Sequence, residues 1–275
     1  MKLKVLRRII QVLTILSIIA IPLLNRKGIT IIMGSLYSLA IRDIWITDPL
    51  SGLQVILSTL LADSKLLLSI LIPIVIALIF GRVFCSWMCP QNFISEFFDY
   101  ISRKIPPLPP FSKGGMGGLQ IFNPSPSAKP RYVIMFLLLV LTPILGFPAA
   151  NLISAPGIIS VQTSKIIYEG TVGIEIGLIG IIVILELFLV RRIWCNYICP
   201  VGSFLGIFRF KKTMKVVYRE DVEHTCGKCM ECVRACQLGL NPMEGRIYPL
   251  CHNCGDCIAA CEDIKDRAKP LSFRF

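Results

Sequence analysis

The chain is short of histidine, of acid and of charge altogether. It holds two histidines in 275 residues, and 17 Asp plus Glu against 29 Lys plus Arg. Both histidines, His224 and His252, lie in the last quarter, away from every long apolar run. No pair of apolar segments therefore offers axial ligands for a b-type haem. There is no CxxCH for covalent haem, no Rossmann glycine fingerprint and no P-loop, which excludes the chemistries those motifs carry. Charged residues make up only 17% of the chain, apolar residues 54%, and the mean hydropathy is +0.69. That is too little charge for one or two ordinary soluble domains.

What is present is grease and sulfur. Four apolar segments qualify as membrane spans: about Ile9 to Leu24, Leu66 to Phe84, Tyr132 to Ala150 and Gly170 to Val190. Some fall short of the roughly 20 residues a bilayer core needs, and flanking Arg and Lys extend them by snorkelling. Lys2, Lys4, Arg7 and Arg8 precede the first run as in a signal peptide, but Asn25-Arg26-Lys27 follows in place of a small-residue cleavage site, so an uncleaved anchor is expected. With the N-terminus inside, the inner segments carry four, six and seven basic residues and the outer loops five: Arg26, Lys27, Arg42, Lys65 and Lys165. This asymmetry predicts a multi-pass protein of the cytoplasmic membrane with both termini cytoplasmic. The net charge of +12 sits at span ends and is interrupted by apolar runs, which favours lipid over nucleic acid as its partner.

Eight of the 12 cysteines fall in two runs, CGKCMECVRAC from Cys226 and CHNCGDCIAAC from Cys251. In two-cluster bacterial ferredoxins the first three cysteines of such a run bind one cubane and the fourth completes the other. Cys226, Cys229, Cys232 and Cys261 would hold one [4Fe–4S] cluster; Cys251, Cys254, Cys257 and Cys236 the second. A pair of zinc sites or a disulfide knot is the plainer alternative, but zinc has no use for an interleaved fourth cysteine. The proline usual after the fourth cysteine is replaced by Gln237 and Glu262. The fold expected is an α-helical membrane domain, residues 1–215, followed by a ferredoxin-like α+β domain, 216–275.

The membrane domain repeats itself. RVFCSWMCP from Arg82 returns as RIWCNYICP from Arg192, so two-span units of about 1–104 and 130–215 flank a Pro- and Gly-rich linker, 105–129. Asp48-Pro49 and Ala155-Pro156 each precede a stretch suited to a short helix at the outer interface, with Asp48 as N-cap. Cys85 with Cys89 and Cys195 with Cys199 use up the remaining cysteines. Four-residue spacing puts each pair on one helix face, and Pro90 and Pro200 mark a bend or a new first turn. Where the repeats meet, the four thiols could form a site for iron, an iron–sulfur centre or zinc; inert buried thiols and a reversible dithiol–disulfide are the alternatives. Arg82 and Arg192 either favour the thiolates or anchor span ends. Glu186, well inside a span, is a candidate proton acceptor beside a quinol pocket, or else a structural hydrogen-bond partner.

At these two CxxxCP motifs, four spans and paired cubane runs, with an Arg-rich start containing Arg7, Arg8 and Gln11, the chain resembles the NapH/MauN-type membrane ferredoxins, within the wider group that includes NosR and CcoG. The resemblance implies an electron-transfer subunit of a quinol dehydrogenase, exchanging electrons between the quinone pool and a periplasmic redox system through a partner subunit. It carries the family's cluster ligands onto the eight cysteines from Cys226 to Cys261, and its CxxxCP pairs onto Cys85, Cys89, Cys195 and Cys199. The chain has no room for the flavin-binding domain of NosR-like members or the extra C-terminal domain of CcoG-like ones. Alternatives are a relay from a cytoplasmic donor through the CxxxCP centre to a metal or disulfide, and a redox-sensing or assembly factor.

Overall fold

The computed structural model describes residues 2–35, 38–42, 44–104, 127–188, 192–219, 229–245, 247–262 and 270–275. Cys226 and all but the last three residues of the expected linker lie outside the described residues. Apolar helices stand where spans are expected: α1 (Lys2–Arg26), α3 (Ser64–Phe80), α6 (Lys129–Leu145) and α9 (Ile176–Phe188). Among the described residues, α1 alone is long and apolar enough by itself to cross a membrane; α3 and α9 are shorter apolar helices.

The patterning of these helices is inverted relative to a water-soluble protein. On α1 the buried positions are Arg7, Gln11, Thr14 and Ile18, while Val5, Leu6, Ile9, Leu13 and Leu16 are exposed. On α6 the buried positions are Arg131, Met135, Leu138 and Thr142, while Val133, Phe136, Leu137 and Ile144 are exposed. Both sets follow the same helical spacing of four, three and four residues. Each helix thus turns its polar residues inward, Arg7, Gln11 and Thr14 on α1 and Arg131 and Thr142 on α6, and a greasy face outward.

Short elements complete each repeat. In the first, α2 (Pro49–Thr59) precedes α3, and α4 (Val83–Trp87) and α5 (Pro90–Lys104) follow it. In the second, α7 (Ala149–Ile153) and α8 (Ala155–Glu169) precede α9, and a π-helical turn at Trp194–Ile198 and α10 (Pro200–Ile207) follow. Asp48 caps α2 as expected, accepting the Ser51 N–H at 3.0 Å. The first turns of α2 and α8 are buried within the protein, at Leu50, Ser51, Ala155 and Pro156. Contacts between repeats are reciprocal. α1 meets α8 as α6 meets α2, α5 meets α9 as α10 meets α3, and α5 meets α8 as α10 meets α2.

One element was not expected. Residues expected to form an outer loop make a three-stranded antiparallel meander, β1 (Ile32–Ser35), β2 (Ser38–Ile41) and β3 (Ile44–Thr47), packed against α1 and α3. Gly34 sits in it at φ +109°, where a Cβ would lie 1.9 Å from the Ser38 carbonyl oxygen, so no other residue fits there. The signal was present in alternating Ile, Leu and Trp broken by Gly34-Ser35 and by Arg42-Asp43.

The C-terminal module pairs β4 (Lys215–Tyr218) with β5 (Leu271–Arg274) and packs α11 (Glu231–Ala235) on α12 (Asp256–Glu262). Its core is built from Val216, Leu238, Leu240, Ile247, Leu250, Ile258 and Leu271. The module is locked to the helices above it. Asn253 donates to the carbonyls of Phe80 and Met214 at 2.9 and 2.8 Å, and Ser86 Oγ and Trp87 Nε1 donate to the carbonyls of His252 and Asn253. Asn253 thereby satisfies an orphan carbonyl at the end of α3.

Candidate iron–sulfur and thiol sites

Seven of the eight run cysteines are described, and the second run is the better defined. A small cavity of ≈ 20 Å³ is walled by Cys236, Cys251, Cys254 and Cys257, together with His252 and Gly255. The fourth cysteine of the first run therefore borders the same cavity as the first three of the second. Leu240 N–H points at Cys236 Sγ at 3.3 Å, the kind of donor that stabilises a ligating thiolate. Soft thiolates in this number suit iron–sulfur clusters. Of the first set, Cys229, Cys232 and Cys261 are described, and Cys232 and Cys261 both pack on the module core. Burial pushes the Cys251 thiol up to about 11 and the Cys254 thiol well above its ordinary value; it also pushes His252 well below its usual value, helped by Arg82, Arg7 and Arg192, so that imidazole is neutral.

Gln237, which departs from the usual proline, has a definite role. It is buried and donates to Glu96 Oε1 at 2.8 Å and Asp256 Oδ2 at 2.5 Å. Arg7 joins the same network, 3.0 Å from Asp256 Oδ1 and 3.5 Å from Glu96 Oε2, and Arg8 pairs with Glu96. A proline could not tie the module to α5 in this way.

The two CxxxCP pairs lie near one another. Cys89 lies within electrostatic reach of Cys85 and Cys199, and Cys195 within reach of Cys199 and Cys89. The pairs do not each ride one helix face, though. Cys85 is in α4 and Cys195 in the π-helical turn, while Cys89 and Cys199 fall after those elements end. The residue before a proline is disfavoured in the α conformation, and α5 and α10 start afresh at Pro90 and Pro200. Cys199 caps α10, its Sγ accepting the Gly202 N–H at 3.4 Å. Among the described residues no three His, Cys, Asp or Glu side chains converge on a position that could hold a single metal ion, and all eleven described cysteines are free.

The two arginines are neither span-end anchors nor dominant over the thiols. Arg82 is buried and donates through one nitrogen to the carbonyls of Pro249 and Leu250 at 2.8 and 3.0 Å; Arg131 adds a bond to Pro249 at 3.0 Å. Gly202 exists for this contact, since a Cβ there would lie 2.7 Å from Arg82 Nη2 and 3.6 Å from Cys85 Sγ. Arg192 is also buried, bonded to Asn92 and 3.3 Å from Asp99. Arg82 and Arg131 pull Cys199 down and Arg192 pulls Cys195 down, but burial outweighs them, leaving Cys199 at about 11 and Cys195 well above the ordinary thiol value. Glu186 is buried beside Arg192 and Cys195.

Comparison with known proteins agrees with this chemistry. A model described as a 4Fe-4S binding domain matches twice, over residues 66–109 and 172–216, once on each repeat. The chain is 29% identical to the ferredoxin-type protein NapH of Escherichia coli, over 86% of its own length and 80% of that protein's. It is 26% identical to the methylamine utilization ferredoxin-type protein MauN of Methylobacillus flagellatus, covering 70% and 61%. An uncharacterized protein of Methanocaldococcus jannaschii is 29% identical over 77% and 80% of the two chains. No solved structure matches.

Proposed function

We propose, from the premise that this chain is a homologue of the NapH and MauN ferredoxin-type proteins, that it is a membrane-anchored electron carrier of a quinol dehydrogenase. It binds two [4Fe–4S] clusters through Cys226, Cys229, Cys232 and Cys261 and through Cys251, Cys254, Cys257 and Cys236. Such clusters, when bound, supply one-electron transfer at potentials set by hydrogen bonds to sulfur and by exposure. The observation that carries the reading is Arg82. Through one terminal nitrogen it grips the carbonyls of Pro249 and Leu250, immediately before Cys251, while the other lies against Gly202 beside Cys85. The second cluster's loop and the CxxxCP thiols thus share one buried cation. Partner and direction follow the relatives: quinol on one side, a further redox subunit on the other.

The inverted patterning of α1 and α6 supports four passes through lipid, with both termini cytoplasmic. α3 and α6 have 17 residues each, about 25 Å of rise, and reach the full hydrocarbon thickness only together with the short helices that follow them. Anaerobic mixing of the dithionite-reduced protein in lipid nanodiscs with menaquinone tests the function. Fast reoxidation, seen by absorbance and EPR and blocked by a quinone-site inhibitor, is expected. Clusters that stay reduced would sink the quinol reading.

The convergence of Cys85, Cys89, Cys195 and Cys199 favours a second reading, a relay in which a cytoplasmic donor feeds the clusters and the CxxxCP centre passes electrons outward to a metal or disulfide. Both readings use an additional iron or iron–sulfur centre at these thiols. Anaerobically purified protein should then contain iron beyond that of two cubanes, and Cys85→Ser with Cys195→Ser should remove only the excess. Iron content unchanged by the two replacements would exclude the centre.

A further inference from the structure

A cavity of ≈ 450 Å³ opens between α1, α3 and the first turn of α2, bounded on one side by the meander β1–β3. The size is that of a small-molecule site. Its walls are largely aliphatic, with Ile18, Ile76 and Phe84 among them, and Asp48 is the one ionisable residue among those that line it. Phe84 and Met88 also line it. These residues immediately precede Cys85 and Cys89, so the cavity abuts the segment that carries the first CxxxCP pair.

A carboxylate facing an apolar cavity is costly unless something there donates to it. Asp48 Oδ2 accepts from Ser51 N–H and Ser51 Oγ at 3.0 and 3.1 Å, and the Leu50 N–H also bonds the carboxylate. A carboxylate offers about four acceptor positions, so room remains for one further donor. Capping alone does not call for a charge, since Ser or Asn caps as well. A phospholipid phosphate would be repelled, and an acyl chain would leave the carboxylate unanswered. A flat apolar ring with a hydroxyl at its edge answers both the aliphatic walls and the acceptor.

We propose that this cavity binds a quinol head group, with the Asp48 carboxylate accepting the hydrogen bond of one ring hydroxyl. The proposal rests on the quinol-linked reading above and gives it a place. Burial pushes the Asp48 carboxyl up to about 6, so it is still ionised, and an acceptor, at neutral pH. The second repeat has no counterpart, because Ala155 occupies the equivalent position and is fully buried. Nor is Glu186, the carboxylate picked out by its place in a span, among the residues lining this cavity.

The test is binding, read without turnover. The full chain in lipid nanodiscs is titrated at pH 7.5 with 2-heptyl-4-hydroxyquinoline N-oxide, a fluorescent quinol analogue whose emission is quenched on binding. Asp48→Asn keeps the cap and loses the charge; Ile76→Trp fills the cavity from an exposed position on α3. Both variants must keep the parent's cluster absorbance and elute as monodisperse protein on size exclusion. Asp48→Asn is expected to weaken binding about tenfold or more, the loss of one charge-assisted hydrogen bond, and Ile76→Trp to abolish it. Binding unchanged in both variants overturns the site. Binding lost only in Ile76→Trp keeps the cavity and overturns the role of Asp48. Menaquinone that reoxidises the parent protein while both variants bind like the parent refutes this site and leaves the function standing; menaquinone that fails to reoxidise the parent refutes the function itself.

Discussion

The two repeats share a motif and little of its surroundings. Arg82 has φ −79° and reaches out of its repeat to the loop before Cys251, whereas Arg192 has φ +55°, in the left-handed region, and is held by Asp99 and Asn92 of the first repeat. The first Cys pair follows a regular α-helical turn and the second a π-helical one. Where the first repeat has Asp48 and a cavity, the second has Ala155, Ile158, Ile179, Ile182 and Trp194 packed into a closed cluster. The duplicated scaffold carries a thiol pair in each half, and both halves reach the module, the first through Arg82 and the second through Arg131 and Asn196.

The sharpest way to break this comparison is to transplant the carboxylate. Ala155→Asp places a charge at a position with 0% exposure, amid the apolar neighbours Ile158, Ile179 and Ile182. A cost of several kcal/mol is expected, read as loss of monodisperse protein on size exclusion, whereas Asp48→Ala should cost only about 1 kcal/mol through its lost cap. Equal tolerance of the two changes would mean the halves are not differentiated here.

The arginines come next. Arg82→Ala removes two charge-assisted bonds to carbonyls 249 and 250, worth about 3 kcal/mol together, and should loosen the loop before Cys251, so that iron content falls towards that of one cubane. Arg192→Ala strands the buried side of Asp99 and should lower the melting temperature comparably while leaving cluster iron intact. Iron lost equally from both variants would contradict a special link between the first repeat and the second run.

The sequence could be read at some of these places and not at others, for physical reasons. Cysteine spacing within each run is local and readable, whereas the assignment of Cys236 to the second set rests on the pattern of two-cluster ferredoxins. Asp48-Pro49 and Ala155-Pro156 announced helices because capping and proline geometry act within one turn. The buried roles of Arg7, Arg82, Arg131 and Arg192 were not readable, because a span-end arginine and a buried one look alike until the partner carbonyls and carboxylates, up to 249 residues away, are in place. Glu186 drew attention by sitting inside a span, while Asp48 passed for a cap; only the folded cavity separates a carboxylate that faces space from one that faces an arginine.

A smaller effect sharpens the comparison further. Burial raises the folded Asp48 carboxyl to about 6, above the unfolded value near 4, so its contribution to stability is complete below about pH 4 and lost as pH rises through 6. Asp48→Asn keeps the cap without the titration. The variant should melt with the parent near pH 4, gain on it between about pH 4 and 6, and hold a constant lead above that, in thermal scans of ligand-free protein. A difference that does not change with pH would place the carboxyl in an ordinary solvated setting.

The contacts between the halves are reciprocal. α1 lies against α8 just as α6 lies against α2, and α5 against α8 just as α10 against α2. Surfaces that meet by exchange in this manner are those of an isologous dimer, in which one patch serves both partners. A single half would leave all of these faces bare, so it would need a second copy to cover them, with two thiols donated by each.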